Sequence, residues 1–357
     1  MASLTLPDLT PLFPWYQTNA RDLPWRKTKD PYRIWLSEIM LQQTRVEAVI
    51  PYYFNFLDYL PGVAALAAAP EELLLKLWEG LGYYSRVRNM QRAAKIVMAE
   101  YGGIFPHTYP EIRALCGIGD YTAGAIASFA FDLPYPAVDG NVMRVVTRLC
   151  AYGEPITVPA VKKEITAAVA AAQPENAPAL FNQAIMELGA TVCLPNGAPK
   201  CAECPMSRLC AAHLAGKETE FPQKTKKAPR RVEKRTVLLL RDGARTALTK
   251  RPGKGLLAGL YEPPCLNGFY NTEELAALFA AAGFPPLRVA PLGQAKHIFT
   301  HIEWQMTGFE VVLPSGSAAK LSTCATFLPE SLFFTDREEL DRTFALPGAY
   351  RAYRAFF

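Results

Sequence analysis

The chain has 357 residues, half of them hydrophobic, and a net charge of +5 at pH 7, which suits a protein of about two or three domains with a sizeable core. No uninterrupted apolar stretch is long enough to span a bilayer, so a membrane-spanning protein is excluded and an ordinary soluble one is expected. The mild positive charge admits a polyanionic partner without arguing for one.

In chain order, the opening Met1-Ala-Ser-Leu-Thr-Leu-Pro-Asp8 lacks a basic head followed by an apolar run, so secretion is not expected. Trp35-Leu-Ser-Glu38-Ile-Met-Leu-Gln-Gln43-Thr44 follows. Glu38 lies there between Leu36 and the run Ile39-Met40-Leu41; it is either a buried acid or a surface helix glutamate. The Ala-rich and Leu-rich segments 63–78 and 161–172 carry helical periodicity, so the first two-thirds reads as mostly helix. Between them, Gly80-Leu-Gly82 places Tyr83 on a tight turn.

A helix from about Tyr109 to Leu115 stops at Gly117-Ile-Gly119, and a second helix rich in small residues starts at Asp120. The amides of such a turn, at the positive end of the following helix, can hold a phosphate without reading any base. By itself a G-x-G turn also fits a plain interhelical connection. Pro134-Tyr-Pro-Ala-Val-Asp139-Gly-Asn141 then puts Asp139 at the start of a helix over 142–149, where the helix dipole and local amides favour an ionised carboxylate. An ordinary N-cap is the alternative.

Cys193, Cys201, Cys204 and Cys210 form a C-x7-C-x2-C-x5-C run, whereas the other cysteines are scattered singly. Thiolates this close along the chain complete a tetrahedral shell for zinc or the corners of a [4Fe-4S] cubane, and the ligands alone do not choose between the two. Clustered rather than paired cysteines also point to a reducing, cytoplasmic compartment. A basic stretch follows, with Lys224, Lys226, Lys227, Arg230, Arg231, Lys234 and Arg235 among two prolines; it reads as a linker over 216–235, a solvated tether or a strap near phosphates. Beyond it, β-type runs at 237–240, 246–249 and 297–302 and a helix over 272–282 predict a separate α+β domain.

The order helix-hairpin-helix, aspartate, four-cysteine loop resembles the endonuclease III superfamily of DNA glycosylases. The runs Trp35–Thr44 and Gly80–Asn89 resemble its MutY branch, the adenine DNA glycosylases. The resemblance covers nearly the whole chain. It implies a mainly α, two-module helical domain over 1–215, with the hairpin at about 109–131 and a [4Fe-4S] loop at 193–210, followed by a Nudix-like domain over 236–357. It favours iron-sulfur over zinc; the first cysteine spacing is seven residues where the family has six, and a turn within Pro195-Asn-Gly197 can absorb the extra one.

The implied reaction is hydrolysis of the N-glycosidic bond of adenine flipped out of double-stranded DNA at a mispair with 8-oxoguanine or guanine, by a monomer acting in the cytoplasm or nucleoid, with no membrane partner. Glu38, its pKa raised by burial, protonates adenine at N7, and ionised Asp139 stabilises or captures the sugar cation at C1′, assisted by Tyr121 and Asn141. Bifunctional relatives carry a Schiff-base lysine two residues after the second hairpin glycine. Tyr121 stands there, so no strand cleavage is expected. By the same resemblance, Gln43 and Tyr83 fill the gap in the stack and Trp25, Arg26 and Gln183 contact adenine. Phe299-Thr300-His301, a Phe-Ser-His loop in the family, reads the oxidised base. Gly255 to Phe279 contains no arginine, so the Nudix hydrolase signature is incomplete and no pyrophosphatase activity is expected. A nucleotide hydrolase, a non-catalytic redox-sensing DNA-binding protein and a pyrimidine glycosylase are the alternatives.

Overall fold

The computed structural model describes residues 4–225 and 229–357, and the chain divides into two compact units, Met1–Ala68 with Asn89–Lys227, and Ala69–Arg88 with Ala228–Phe357. The helices of the first two-thirds are α1 (Leu12–Asn19), α2 (Pro31–Met40), α3 (Val46–Tyr59), α4 (Val63–Ala68), α5 (Glu71–Leu77), α6 (Ser85–Glu100), α7 (Tyr109–Ala114), α8 (Asp120–Phe131), α9 (Gly140–Leu149), α10 (Pro159–Ala172), α11 (Pro178–Thr191) and α12 (Ala211–Leu214). The predicted helix over 63–78 is two helices, because Pro70 cannot donate to a continuing ladder.

In the helical unit α2 starts where the Asp30 carboxylate accepts from the Tyr32 amide, with Pro31 pre-set for the first turn. Ile34, Trp35, Leu36, Ile39 and Met40 are all buried, so α2 is a core helix, and each such side chain stabilises the fold by roughly 1.5–3 kcal/mol. It packs on α8, whose buried Ala123, Gly124, Ala125, Ala127 and Ser128 allow close approach. A Cβ at Gly124 would lie 2.2 Å from the Pro136 carbonyl oxygen, so only glycine lets the segment leading to Asp139 pass. A second core joins α1, α9, α10 and α11 through Leu12, Val142, Val146, Ile165, Phe181, Ile185 and Leu188.

The other unit is built on a mixed sheet of β1 (Arg231–Asp242), β2 (Arg245–Lys250), β3 (Tyr261–Glu262), β4 (Cys265–Asn267), β5 (Arg288–Ile298), β6 (Ile302–Val312) and β7 (Phe333–Thr335). The order is β3-β2-β1-β6-β5, with β4 on β1 and β7 on β2; β1 and β6 run parallel. Val237-Leu238-Leu239-Leu240 is a continuous apolar run because both faces are covered. Leu238 and Leu240 meet Leu275 and Phe279 of α13 (Thr272–Ala281) and Leu321 of α14 (Ala318–Cys324). Val237 and Leu239 belong to the core with Leu340 of α15 (Arg337–Thr343) and with Tyr350 and Tyr353 of the C-terminal 3-10 run Gly348–Phe356.

Two expectations for this part are corrected. The run 297–302 is not one strand: β5 ends at Ile298 and β6 starts at Ile302, and Phe299–His301 is the turn between them. The linker is shorter than the basic stretch, since β1 begins at Arg231. There the Arg235 guanidinium lies over the Trp304 ring at 3.7 Å and the exposed Lys234 ammonium over Phe269 at 5.4 Å. Lys226 and Lys227 lie outside the described residues. Among the described residues no helix is long and apolar enough to cross a membrane.

Candidate active site and cysteine loop

A cleft of about 750 Å³ in the helical unit gathers Trp25, Arg26, Glu38, Gln43, Gly119, Tyr121, Asp139, Asn141 and Gln183, nine of the residues singled out from sequence. Glu38 comes from the apolar helix α2 and is 4% exposed. Burial raises its pKa to about 7. A hydrogen bond from the Tyr121 hydroxyl at 2.5 Å pulls against that rise, and the charge of Asp139 adds to it. The Tyr121 hydroxyl is thus bonded to Glu38, with the Asp139 carboxyl close enough to act on it through its charge.

Asp139 caps α9. Its Oδ1 accepts from the amides of Asn141 (2.9 Å) and Val142 (2.8 Å), and its Oδ2 accepts from Asn141 Nδ2 (2.7 Å). The helix start was expected to hold this carboxyl low. Burial instead raises its pKa, with the Val142 and Asn141 donors and Arg144 opposing the rise. Asn141 is itself fixed: Arg144 Nη2 donates to Asn141 Oδ1 at 2.8 Å and to the Gly189 carbonyl at 2.6 Å, while Arg144 Nε donates to the Cys193 carbonyl at 2.7 Å. One guanidinium thus joins the cap of Asp139 to the start of the cysteine loop. A Cβ at Gly189 would lie 2.7 Å from Asn141 Cβ, so α11 must present glycine there.

Glu187 belongs to none of the motifs legible in the sequence. Its side chain is fully buried at the cleft, paired with Arg21 at 2.8 Å and Arg26 at 2.6 Å. Burial pushes its pKa up, but the hydrogen bonds from Arg21 and Arg26 outweigh burial and bring it down to about 2. Arg26 is thereby held by protein and also lies over the Tyr16 ring, while Tyr16 donates to Gln183 Oε1 at 2.7 Å. The missed signal is the one that marks Glu38: an acid amid an apolar helical run, Ala184-Ile-Met-Glu187-Leu188. Of the hairpin glycines, Gly117 has φ +81° and needs glycine, whereas Gly119 caps α8 with ordinary φ and open space around it, leaving its amide approachable.

The four cysteines line one small cavity, walled by Val145, Leu149, Leu188 and Val192. Lys200 N donates to the Val192 carbonyl at 3.0 Å and so closes the loop that contains the additional residue. Arg148 Nη1 donates to Cys193 Sγ at 3.2 Å, and Cys210 Sγ donates to the Arg148 carbonyl at 3.3 Å. Burial raises the thiols of Cys201 and Cys204 to about 11, and the neighbouring cysteines push the same way. Four sulfurs converging on one cavity at this spacing are a donor set that fits a soft metal centre. His213 and Glu218 stand next to Cys201, with ligating atoms within 4.8 Å of one another.

The remaining site residues fall in the sheet unit. Tyr83, with φ +47°, follows Gly80 (φ +101°) and Gly82 (φ +70°). Arg86 Nη2 ties the turn by donating to the carbonyls of Leu81 (3.0 Å) and Gly82 (2.9 Å). The Tyr83 hydroxyl is 3.0 Å from Thr300 Oγ1. Phe299 lies edge-on to Trp304, its amide donating to the Ile302 carbonyl at 2.8 Å. Arg230 and Arg231 bond the carbonyls of Phe299 and His301. Thr300 and His301 are left exposed at the tip.

A model of the HhH-GPD superfamily of base excision DNA repair proteins matches residues 36–170, and a NUDIX domain model matches residues 236–355. The solved structure of a thermostable thymine-DNA glycosylase superposes on 58% of this chain and 94% of its own with a TM-score of 0.52 at 28% identity. Fold and cleft together define a helix-hairpin-helix protein of base excision repair carrying a Nudix-like domain. The adenine DNA glycosylase of Rattus norvegicus is 34% identical over 92% of this chain and 73% of its own length, and that of Buchnera aphidicola subsp. Baizongia pistaciae is 36% identical over 81% of each. The chain belongs to the adenine DNA glycosylase family.

Proposed function

We propose that this protein binds double-stranded DNA and hydrolyses the N-glycosidic bond of adenine mispaired with 8-oxoguanine or guanine, leaving the strand intact. The observation that carries the reading is the pair of carboxyls brought into one cleft: Glu38, buried, with a pKa of about 7 and bonded to Tyr121, and Asp139, half-buried and held by three donors. Glu38 gives its proton to N7 of the flipped adenine, so that the C1′–N9 bond breaks with neutral adenine as leaving group. Asp139 faces the resulting cation and stabilises it, or captures it at C1′ until water supplies the hydroxyl. Two carboxyls of different environment thereby take the acid and the counter-charge roles.

Gln43 and Tyr83 fill the vacated stack; both are exposed and both hold the strained positive φ of a tight turn. Trp25, Arg26 and Gln183 line the base pocket, and the hairpin turn at Gly117 and Gly119 takes a phosphate of the backbone. Phe299, Thr300 and His301 read the base opposite. Cys193, Cys201, Cys204 and Cys210 would hold a [4Fe-4S] cluster, which supplies cross-linking of that loop and no step of the hydrolysis. No lysine stands at position 121, so strand breakage is not part of the reaction; Lys162, exposed and lining the cleft, is the amine that an alkali-independent break would implicate.

The test is single-turnover cleavage of duplexes carrying adenine opposite 8-oxoguanine, guanine or thymine, and thymine opposite guanine, each read with and without alkali. Adenine loss opposite the two guanine types alone, with breaks only after alkali and none for Asp139→Asn, is the expected result. Release of thymine, or breakage without alkali, overturns the substrate or the monofunctional part respectively.

A further inference from the structure

Residues 69–88 precede the hairpin in sequence, yet they belong to the same compact unit as the sheet. Charged anchors hold them there. Glu72 meets Lys250 at 3.7 Å, Lys76 Nζ donates to the Phe344 carbonyl at 3.3 Å, and Arg88 Nη2 donates to the Ala258 carbonyl at 2.8 Å while its Nε binds Glu71 at 2.6 Å. Glu79 is the centre of the set. Its carboxylate accepts from Lys76 Nζ at 2.7 Å, from the Leu346 amide at 3.2 Å and from the Arg354 guanidinium, which also reaches Asp341 of α15. The Glu79 side chain is only 14% exposed, so these bonds form largely out of water.

The next residue, Gly80, begins the turn that carries Tyr83. Tyr83 is 47% exposed, and its bond to exposed Thr300 competes with water, so that bond alone cannot fix the ring. The fixed points lie at the ends of the turn: Glu79 on one side and Arg88 on the other, with Arg86 holding the carbonyls between them.

We propose that Glu79 is a positioning residue for recognition of the base opposite adenine: by fastening segment 69–88 to the sheet domain, it sets Tyr83 against Thr300 so that the two probe DNA as one body. The effect on DNA recognition rests on the proposed function; the fastening does not. The clamp is tested first in the free full-length protein, by hydrogen exchange of the amides of residues 80–86 in wild type and Glu79→Gln. Faster exchange in the variant is expected, and unchanged exchange overturns the clamp whatever the protein's substrate.

The second arm measures binding to 8-oxoguanine and guanine duplexes bearing an uncleavable adenosine analogue, and single-turnover rates at saturating enzyme, for Glu79→Gln, Tyr83→Ala and the double variant. Glu79→Gln should reduce the binding preference for 8-oxoguanine about tenfold, keep the saturated rate within about twofold, and add nothing once Tyr83 is alanine. Multiplying effects, or an unmoved preference despite faster exchange, overturn the positioning role. Arg354→Gln, from the exposed side of the same pair, should reproduce the pattern and stands in if Glu79→Gln melts early. A wild type that shows no preference for 8-oxoguanine refutes the substrate reading, and the exchange arm then decides the clamp by itself.

Discussion

Glu38 lies buried and Asp139 half-buried in a cleft walled by core helices, whereas Tyr83 and Thr300 stand at a tip exposed to water. In the cleft, every carboxyl is matched to donors or to a single proton, and the walls are core helices, so geometry and proton affinity are set before any ligand arrives. At the tip the Tyr83 and Thr300 hydroxyls meet each other in water, and order comes from ion pairs and carbonyl ties behind them. On the proposed function, the contrast separates two tasks, bond cleavage and inspection of the opposite strand, between the two units of the chain.

Glu38→Gln should break the cleft's side of the comparison most severely. It keeps the shape and removes the proton donor, and single-turnover adenine release should fall by roughly 10²–10⁴-fold with little change in DNA affinity. Glu187→Ala should strike the same cleft through stability. Two arginines lose a fully buried partner, and urea unfolding should show a loss of about 3 kcal/mol, at the low end for such pairs because Arg21 keeps a third of its side chain in water.

Tyr121→Phe sharpens the proton argument. Glu38 must be protonated to act, so release in the wild type should fall as pH rises through about 7. The Tyr121 hydrogen bond lowers the Glu38 pKa, so its removal raises that pKa further and moves the fall to higher pH in a pH–rate profile. The rate should also decline on the acid side, where Asp139, its pKa raised by burial, takes a proton. The smallest effect belongs to the tip: Thr300→Ser keeps the hydroxyl that meets Tyr83 and removes a methyl in solvent, so binding to the 8-oxoguanine duplex should change by less than about twofold.

Much of the cleft was legible because its signals are local. An acid between apolar neighbours on α2, a glycine turn before α8 and an Asp-Gly-Asn start to α9 each declare themselves within a few residues. The Glu187 pair with Arg21 and Arg26 joins residues some 160 positions apart, and the same acid-in-apolar-run signal carries no hint of which partners fill it. Segment 69–88 shows the harder failure. Its helical periodicity is real, but periodicity reports which face is buried and says nothing about which unit buries it; the anchors at Lys250, Ala258, Phe344, Leu346 and Arg354 all come from 160 or more residues later. The basic stretch misled for a related reason. Arg231 and Lys234 stay exposed as solvated charge, but both lie on β1, and Arg235 is taken out of water by Glu233 and the Trp304 ring of β6.

Gly189 has a consequence for inheritance. Any single-nucleotide missense change in a glycine codon adds at least a Cβ, and the atom it would meet is the Cβ of Asn141, 2.7 Å away. Every such allele therefore presses α11 against the start of α9, and Asn141, which donates to Asp139, must shift. On the proposed function, a single added carbon outside the cleft would reach the carboxyl that faces the cation.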